Sequence, residues 1–567
     1  MMAAAASDRE VDWLVFGSGA AGLCAALVGR IEGLEVLLCE KTALVGGTTA
    51  TSGGTIWIPG TRQSLDTPTP DDLPSARRYL EGEVGALGAI ELREILLETG
   101  PEAIDFLAAH SDVRFRANSP YPDYHAEQPG GAKGGRALSP LPFDGRLLGQ
   151  DFALLRPPRD DFMVLGGMMV GRDEIRHLIR PWRSWQSFRI ASRIVGRYLK
   201  DRLSHPRGTR LLLGNALVGR LLYSYRRLGG ELALSTSLES LWCEEGKVVG
   251  AVVRGSGQIQ RIRARRGVVL ATGGCSSSDR WRARLVPERD LPVSLAFEGN
   301  TGDGLDAALA IGARLDQRHG SPFFWMPASR LERSAHSPVV YPHIRDRPKP
   351  GLIAVRADGR RFANEGNSYH DFVSALLSSS PGERDPHAWL ICDRRFVRDF
   401  GLGMIHPVWQ FLPSFERAGY LRRAQTITEL ALSIGVDAGS LAETVRRYNA
   451  DARAGHDSEF GKGDFALNRY NGDPETSPNP CLRPIDTAPY FAVRVEPAPI
   501  GSSIGLHTDG DARVLDASGR PIAGLYACGN DMSSVMGGRY PGPGITLGPA
   551  LVFGYRAARH GAQASGG

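Results

Sequence analysis

The sequence predicts an α/β protein in which a Rossmann-type nucleotide-binding domain, built from both ends of the chain, carries an inserted α+β domain. A glycine fingerprint lies between a strand-like and a helix-like run near the first residues, which is typical of a nucleotide-binding βαβ unit. Strand-to-glycine turns recur at 264–274 and 524–531, and this pattern fades in the middle of the chain. We therefore predict that residues 1–320 and 491–567 form the first domain and that residues 321–490 form the second.

The composition is that of an ordinary globular protein. The 567 residues exceed what one simple core can organise, and their net charge of +5 gives no indication of nucleic-acid binding. The seven cysteines are scattered without a CxxC pair, so we predict neither a disulfide framework nor a metal site. Neither a signal peptide nor an apolar run of membrane-spanning length is legible, and we expect a cytoplasmic protein.

The fingerprint GSGAAG lies between a strand-like run at 13–16 and a helix-like run at 20–30. A second strand-like run, 35–39, is followed by an acidic residue 23 positions after the first glycine. In this context the glycines admit a pyrophosphate to the helix N-terminus and the acid binds a ribose. The predicted contacts are Gly17, Gly19, Ala20, Ala21, Gly22, Glu40 and Lys41.

A second loop of small and hydroxyl-bearing residues, VGGTTATSGG, follows the acid directly. It suits a longer dinucleotide than NAD and therefore favours FAD, with the flavin end near this loop. Its predicted contacts are Gly46, Gly47, Thr48, Thr49, Ser52, Gly53 and Gly54. The segments LATGG, TGDG and CGND belong to the same layout and add Thr272, Gly273, Gly274, Asp303, Gly529, Asn530 and Asp531.

Six segments occur in one order over nearly the whole chain: GSGAAG, CEKTALVGGTTATSGG, YPDYH, RFANEGNSY, GLYACGND and GGRYPGPGITLGPALVFGY. With them the sequence resembles the flavoprotein superfamily of fumarate reductase and succinate dehydrogenase, and within it the FAD-dependent 3-ketosteroid dehydrogenases, especially the Δ1 type. The resemblance implies 1,2-desaturation of a 3-ketosteroid, in which a base takes a C2 proton and a C1 hydride passes to flavin N5. We expect non-covalent FAD, because the first histidine of the chain is His110 and some relatives tether FAD to a histidine near the second loop.

The same resemblance assigns the site residues. It places the Tyr540 hydroxyl and the Gly544 N–H on the ketone oxygen, where negative charge grows as an enolate forms. A helix beginning near residue 545 would direct its positive end, about +0.5 charge, at the flavin, and Thr546 and Leu547 would lie beside it.

The expected base is Tyr369. Only about 0.1% of an ordinary tyrosine is ionised at pH 7, so the base needs a partner. The resemblance supplies a second tyrosine, for which Tyr124 is favoured over Tyr121 and His125. We expect Glu365 to be structural, because a carboxylate in an apolar pocket is costly and three arginines, Arg356, Arg360 and Arg361, stand near it in sequence.

Three alternative functions stay open at this point. The first is a 3-ketosteroid Δ4-(5α)-dehydrogenase with the same cofactor and a shifted proton site. The second is a fumarate-reductase-like enzyme for small unsaturated acids, for which Arg539 would hold a carboxylate. The third is a flavin-bound steroid carrier without catalysis.

Two further segments carry predictions. Aromatic and apolar residues in the middle of the chain could line a pocket for a flat hydrocarbon or simply form core; the candidates are Phe323, Phe324, Trp325, Met404 and Trp409. Residues 175–205 form an arginine-rich amphipathic pattern with tryptophans, for which Pro181 suits a helix start. This insertion would contact either an anionic membrane surface or the body of the protein.

The expected partners follow from the predicted reaction. They are a 3-ketosteroid substrate, an external electron acceptor such as a quinone or a redox protein, and, through 175–205, the inner face of the cell membrane.

Overall fold

The structure is a computed structural model that describes residues 9–65, 67–179, 181–255, 257–333, 336–407 and 411–564. Trp409, one of the predicted pocket residues, lies outside these ranges. The strands are β1 (Arg9–Phe16), β2 (Val36–Cys39), β3 (Ile56–Trp57), β4 (Phe115–Ala117), β5 (Ala137–Pro140), β6 (Phe143–Asp144), β7 (Met163–Val164), β8 (Met168–Met169), β9 (Arg210–Leu211), β10 (Glu231–Ala233), β11 (Thr236–Glu244), β12 (Lys247–Gly255), β13 (Gln258–Leu270), β14 (Phe323–Arg333), β15 (His336–Pro342), β16 (Leu352–Val355), β17 (Ala388–Asp393), β18 (Leu421–Ala424), β19 (Tyr490–Ser502), β20 (Arg513–Leu515) and β21 (Pro521–Ala527).

The helices lie between these strands, in places two or three in succession. They are α1 (Ala20–Ile31), α2 (Gly47–Ala50), α3 (Arg62–Leu65), α4 (Leu73–Val84), α5 (Ile90–His110), α6 (Arg172–Ile179), α7 (Trp185–Asp201), α8 (Leu213–Arg227), α9 (Asp279–Leu285), α10 (Asp303–Leu309), α11 (Tyr369–Ser379), α12 (Arg394–Phe400), α13 (Leu412–Arg417), α14 (Ile427–Ile434), α15 (Ala438–Ala454), α16 (Ala466–Asn471) and α17 (Leu547–Gln563). Short 3-10 turns cover Gly145–Leu154, Asp160–Phe162, Pro181–Arg183 and Gly529–Asp531. None of the helices in the described ranges combines the length and the hydrophobicity that a membrane crossing requires.

The first sheet is the Rossmann-type sheet that the fingerprint predicts. Its strands run in the order β10-β2-β1-β13-β12-β11, and β21 joins β13 while β20 pairs with β21. The strands β10, β2, β1, β13 and β21 are parallel to their neighbours in this series, so their carboxyl ends meet at one edge. Ligands of open α/β sheets bind at that edge. All four predicted cofactor segments of the first sheet, after β1, β2, β13 and β21, therefore reach the same place.

Helices α1 and α17 join the two ends of the chain. They pack closely on each other, because a Cβ on Gly554 of α17 would lie 2.7 Å from the carbonyl oxygen of Ala21 in α1. The C-terminal segment thus belongs physically with the N-terminal fingerprint, as the predicted discontinuous domain requires.

The middle of the chain forms the second sheet. Its order is β15-β14-β19-β17-β16, and β18 also pairs with β19. Strand β19 is central to it and runs from Tyr490 to Ser502, so this strand extends past the boundary that we predicted at 490. The domain limits themselves stay predictions.

The basic insertion folds as two helices. Pro181 opens a 3-10 turn, and α7 begins only at Trp185, with Ser184 as a cap that accepts the N–H of Ser187 at 3.1 Å. Pro181 therefore begins a 3-10 turn, and the α-helix itself begins four residues later, where Ser184 supplies the oxygen that its first turn needs. Helix α7 docks on the protein through Ala191 and Tyr198, which are buried.

Candidate active site

One cavity collects most of the predicted site. Its walls include the carboxyl-edge loops of the first sheet, the N-terminus of α17 and the tyrosine segments. The predicted residues that line it are Gly17, Gly19, Ala20, Ala21, Glu40, Lys41, Gly47, Thr48, Thr49, Ser52, Gly53, Gly54, Thr272, Gly273, Asp303, Gly529, Asn530, Thr546, Leu547, Tyr124, Tyr369, Tyr540 and Gly544.

Four predicted cofactor residues lie behind the cavity wall. A Cβ on Gly22 would lie 1.8 Å from the Gly17 carbonyl oxygen, and one on Gly274 would lie 1.9 Å from Ser502 Oγ. Gly46 donates its N–H to Ser18 Oγ at 3.0 Å. Asp531 accepts hydrogen bonds from Thr272 and from the Gly274 N–H. These residues shape the loops around the cavity instead of facing it.

Asp531 is the most buried carboxyl group of this end of the site. It is fully buried, and burial raises its pKa to about 6 although Thr272 and Gly274 donate to it. It ties the turn after β13 to the turn after β21, and so it holds two cofactor loops in register.

The N-terminus of α1 suits a pyrophosphate. Gly19 precedes the helix and has no side chain to cap its first turn, while Ala20 donates its N–H to Thr49 Oγ1 at 3.0 Å. Gly17 has φ +99°, and a Cβ there would lie 2.1 Å from the Ala271 carbonyl oxygen. Open N–H groups at a helix start and a wall of glycine backbone are what a dinucleotide phosphate needs. The residues present therefore fit the cofactor that the sequence predicts.

Glu40 directly follows β2 and lines the cavity wall. Its Oε2 accepts the hydroxyl of Ser18 at 2.6 Å, and its Oε1 accepts the N–H of Thr42 at 3.0 Å. The single proton of the Thr42 hydroxyl lies within reach of both Glu40 and the Leu44 carbonyl oxygen. Glu40 Oε2 also accepts the Ser18 N–H at 3.1 Å, so a ribose hydroxyl would bind at Oε1, where an acceptor position is open when the Thr42 proton goes to Leu44.

Lys41 and Asp303 form an ion pair on the cavity wall. The Lys41 Nζ lies 2.6 Å from Asp303 Oδ2 and donates to Thr301 Oγ1 at 2.7 Å. The pair joins the end of β2 to the start of α10, and it leaves this part of the wall without net charge.

Three tyrosines from distant segments meet at the other end of the cavity. Tyr124 lies in the loop between β4 and β5, Tyr369 begins α11, and Tyr540 lies in the loop before α17. The Tyr124 hydroxyl donates to the Tyr369 hydroxyl at 3.0 Å. The rings of Tyr124 and Tyr540 stack at 5.6 Å, and the Tyr369 ring stands edge-on to both.

Burial controls the ionisation of these phenols. It raises the pKa of Tyr540 to about 12 and the pKa of Tyr124 and of Tyr369 well above the usual tyrosine value. The hydrogen bond from Tyr124 opposes that rise at Tyr369. Tyr369 is therefore the phenol whose anion receives a donated hydrogen bond within the pair.

A buried ionic network holds the Tyr124 loop. Arg136 contacts Asp123 at 2.6 Å and Asp71 at 2.8 Å, and all three side chains are nearly inaccessible to solvent. Asp123 also accepts the indole N–H of Trp57 at 2.8 Å. The residue before Tyr124 is thus anchored on two sides.

The Tyr540 loop is held by its own backbone. The Pro541 carbonyl oxygen accepts the Tyr124 N–H at 2.9 Å and the Tyr79 hydroxyl at 2.6 Å. Gly544 has φ +96°, and a Cβ there would lie 2.5 Å from the Thr55 carbonyl oxygen, so only glycine fits. The Gly544 carbonyl accepts the Trp57 N–H at 3.1 Å, which anchors the backbone just after Gly544.

The predicted hydrocarbon pocket is only partly correct. Phe324 lines the cavity, but Phe323, Trp325 and Met404 do not. Successive side chains of a strand point to opposite faces, so on β14 the neighbours of Phe324 turn into the core while Met326 faces the cavity.

Sequence reasoning missed several lining residues. Tyr470 stacks at 4.7 Å on Tyr121, which the sequence offered only as a less favoured partner of Tyr369, and Ile344 and Ile500 also line the cavity. The two-residue period of β14 was the signal that would have found Met326. Tyr470 lies far from Tyr121 in sequence, and no local pattern links the two.

Two charged residues have the positions expected for structural roles. Glu365 is fully buried, and its carboxylate pairs with Arg361 at 2.8 Å, away from the cavity. Burial alone would raise the pKa of Glu365, but Arg361 and Lys462 hold it below its usual value. Arg539 is exposed and does not line the cavity.

The comparisons with known proteins agree with this geometry. The family described as the FAD binding domain matches residues 12–547. A 3-oxosteroid 1-dehydrogenase of Mycobacterium tuberculosis (strain ATCC 25618 / H37Rv) is 36% identical and covers 98% of this chain and 99% of its own. A 4-oxocyclohex-2-ene-1-carboxylate 5-dehydrogenase of Sinomonas cyclohexanicum is 37% identical and covers 97% and 93%.

A solved structure shows the same fold. The crystal structure of 3-ketosteroid delta1-dehydrogenase from Sterolibacterium denitrificans, in complex with 1,4-androstadiene-3,17-dione, superimposes with a TM-score of 0.90 at 36% identity. It covers 98% of this chain and 99% of that chain.

Fold and site together define a flavoprotein of the Rossmann type, with FAD as its cofactor. The chain belongs to the FAD binding domain family and is an FAD-dependent oxidoreductase, among whose full-length relatives are the 3-oxosteroid 1-dehydrogenases. The resemblance inferred from the sequence is confirmed. The similarity to a dehydrogenase of a cyclic keto acid was not foreseen.

Proposed function

We propose that the protein catalyses 1,2-desaturation of 3-ketosteroids. The observation that carries the proposal is the cluster of Tyr124, Tyr369 and Tyr540 on the same cavity wall as the FAD loops. Relatives with the matching name and the steroid complex of a solved neighbour support the substrate class.

The residues that hold FAD in this proposal are those of the carboxyl edge. Gly17, Gly19 and the first turn of α1 would hold the pyrophosphate, and Glu40 would hold a ribose. The start of α17, at Thr546 and Leu547, would lie beside the flavin and would direct its positive end there. Bound FAD supplies the two-electron oxidant that accepts the hydride from C1.

The chain's own residues handle the ketone and the proton. The Tyr540 hydroxyl and the Gly544 N–H donate to the C3 ketone oxygen and stabilise the enolate that forms as C2 loses its proton. Tyr369 accepts that proton in its phenolate form, which the hydrogen bond from Tyr124 stabilises. The electron pair of the broken C2–H bond forms the C1=C2 double bond as the hydride leaves C1. The two electrons taken from each substrate pass to an external acceptor, a quinone or a redox protein.

The first experiment mixes the purified flavoprotein with androst-4-ene-3,17-dione without oxygen. We expect the flavin absorbance to bleach and a 1,4-diene to form. In Tyr369→Phe the rate should fall about 10²–10⁴-fold, the usual contribution of a general base. Tyr223→Phe is the matched control, because Tyr223 is a half-buried tyrosine of α8 that packs on Phe143 and does not line the cavity, and it should react as the wild type does.

Two outcomes would contradict the proposal. A Δ4 product from a 5α-saturated ketone, without any 1,4-diene, would establish the Δ4-dehydrogenase instead. Steroid binding without bleaching would point to a carrier. Oxidation of reduced dye by fumarate is not expected, because Arg539 is exposed and does not line the cavity.

A second candidate substrate is a small ring ketone that carries a carboxylate. The Sinomonas relative acts, by its name, on 4-oxocyclohex-2-ene-1-carboxylate, and Arg159 and Arg345 line the cavity here. A guanidinium pairs well with a carboxylate. If this keto acid is the substrate, it should bleach the flavin faster than the steroid, and Arg345→Gln should raise the KM for the acid while leaving the steroid reaction unchanged.

We also propose that the insertion at 175–205 contacts an anionic membrane surface. Trp182 and Trp185 are 83% and 72% exposed, and both stack on Phe188. Arg189 and Arg193 on α7 are exposed as well. Exposed tryptophans beside arginines suit the interface of an anionic bilayer.

Sedimentation with lipid vesicles tests this contact. The protein should bind phosphatidylglycerol vesicles and not pure phosphatidylcholine, and Trp182→Ser with Trp185→Ser should weaken binding without changing the dehydrogenase activity. Phe411→Ser, an exposed apolar residue outside the insertion, is the control. Equal binding by the tryptophan variant would contradict the proposal.

A further inference from the structure

His125 follows Tyr124 directly and has no part in the chemistry above. Its Nδ1 lies 2.6 Å from Glu83 Oε2, and its Nε2 lies 3.0 Å from Asp371 Oδ2. Glu83 belongs to α4, whereas Asp371 lies in the first turn of α11, two residues after Tyr369. One imidazole therefore joins two helices that are far apart in the chain.

The two contacts require a charged ring. Both partners are carboxylates, which accept hydrogen bonds when ionised, so both ring nitrogens must carry a proton. Burial alone would lower the pKa of His125, but the hydrogen bonds to Asp371 and Glu83 outweigh it and raise the pKa to about 10. Burial likewise opposes ionisation of Asp371, and His125 holds the pKa of Asp371 below its usual value.

The Asp371 side of this bridge is tied to the start of α11. Asp371 Oδ2 accepts the Ser368 hydroxyl at 2.6 Å, and the Asp371 N–H donates to Ser368 Oγ at 3.1 Å. Ser368 is the cap of the helix whose first residue is Tyr369. A change in the position of the Asp371 side chain would therefore also move the backbone that carries the Tyr369 ring.

The Tyr124 side is tied just as closely. The His125 N–H donates to the Tyr79 hydroxyl at 3.2 Å, and the Tyr124 N–H donates to the Pro541 carbonyl. The backbone of Tyr124 is therefore held on both sides, by its own N–H and by the N–H of His125. Through the imidazole, this backbone is also fixed relative to α11.

We propose that His125 is a positioning residue that sets the hydrogen bond between Tyr124 and Tyr369 by bridging Glu83 and Asp371. It acts through the two tyrosines and touches neither substrate nor FAD. His125 has this role in catalysis only if Tyr124 and Tyr369 carry the proton as proposed above. The bridge matters because a displacement of about 1 Å between reacting groups can lower a rate about 100-fold.

Two substitutions of His125 test its contact with Asp371 and its contact with Glu83 separately. The amide nitrogen of glutamine reaches the position of Nε2, so His125→Gln keeps a donor for Asp371. The amide nitrogen of asparagine reaches only the position of Nδ1, so His125→Asn keeps a donor for Glu83 and loses α11. His456→Asn is the matched control, because His456 is an exposed histidine that also faces an aspartate, Asp464 at 3.5 Å.

The measurement is anaerobic flavin reduction by androst-4-ene-3,17-dione and by the same steroid deuterated at C2, normalised to bound flavin. In His125→Asn we expect the limiting rate to fall about 10- to 100-fold with the steroid affinity unchanged. The C2 isotope effect should rise, because proton removal becomes the slower step. His125→Gln should recover much of the rate, and His456→Asn should match the wild type.

The outcomes distinguish a failure of the positioning role from a failure of the proposed function. An unchanged rate and isotope effect in His125→Asn overturn the positioning role, as does equal loss in the asparagine and glutamine variants. If the wild type itself does not reduce its flavin with the steroid, the proposed function fails. A crystal structure of His125→Asn then decides the inference: a Tyr124–Tyr369 oxygen distance that stays at 3.0 Å overturns it, and a longer distance supports it.

Discussion

The two ends of the cavity are built in different ways. At the cofactor end, most contacts come from the short turns that follow β1, β2, β13 and β21 at one edge of the first sheet. At the tyrosine end, three side chains come from three separate segments, and Tyr124 meets Tyr369 across 245 residues of chain.

The difference lies in what keeps each end in shape. Glycine turns at the cofactor end adopt their conformation from local backbone geometry, so each turn largely forms by itself. The tyrosine end depends on buried polar anchors, namely the Asp123–Arg136 pair, the Pro541 carbonyl and His125. We therefore expect substitutions at the cofactor end to act through backbone clashes. Substitutions at the tyrosine end should act through the loss of these anchoring contacts.

The largest expected effect is at the cofactor end. In Gly22→Ala the new Cβ would lie 1.8 Å from the Gly17 carbonyl oxygen, which forces α1 away from the fingerprint turn. We expect the purified variant to contain no FAD and to have no activity, as measured by flavin absorbance per protein. In Gly82→Ala, where nothing lies within 4 Å of the Cβ, flavin content should stay complete. Full flavin in Gly22→Ala would refute the clash argument.

The next effect tests the anchors of the tyrosine end. Arg136→Met leaves Asp71 and Asp123 buried without a counter-charge, which costs about 3–5 kcal/mol of stability. Thermal unfolding should show a clearly lower midpoint, with impaired flavin reduction at temperatures where the variant is folded. Arg146→Met removes an exposed pair with Asp144 and should leave the midpoint unchanged. An unaltered midpoint in Arg136→Met would mean that the network does not hold this end.

A smaller effect concerns the ketone clamp. Tyr540→Phe removes one donor to the ketone oxygen, and kcat should fall about 10²–10³-fold, as for other oxyanion donors. Flavin content should not change, because the cofactor turns do not depend on this hydroxyl. Tyr490→Phe, at the start of β19 and away from the cavity, serves as the control. A variant that lost its FAD would show that the two ends are not independent.

The smallest effect is on pH dependence. The His125 imidazolium, which faces Glu83, Asp371 and His370, has its pKa raised to about 10 in the folded chain. Because this pKa is raised, the stabilisation is complete below the ordinary histidine value of about 6.5 and is lost as the pH rises through about 10. The difference in melting temperature between the wild type and His125→Gln should therefore shrink from neutral to alkaline pH. A constant difference would contradict the charged bridge.

Sequence reasoning performed well where the signal was local. The spacing of Gly17, Gly19 and Gly22 lies between a strand-like run and an acid. This pattern predicted β1, α1 and β2 with bounds within a few residues of those observed. It performed less well on which side chains point into the cavity and on where a helix begins. The choice among Phe323, Phe324 and Trp325 needed the pleat of β14, and the helix start in 175–205 needed the cap that Ser184 provides.

The sequence by itself determined that this protein has a Rossmann-type FAD domain and a tyrosine-containing glycine-rich loop before its last helix. These features depend on dihedral preferences and spacings within a few tens of residues, which a linear pattern records. Tertiary structure alone decided that Tyr470 stacks on Tyr121, that Arg539 does not line the cavity, and that His125 bridges α4 and α11. Those facts depend on contacts between segments that are distant in the chain, and such contacts are set by packing and burial, which leave no local pattern in the sequence.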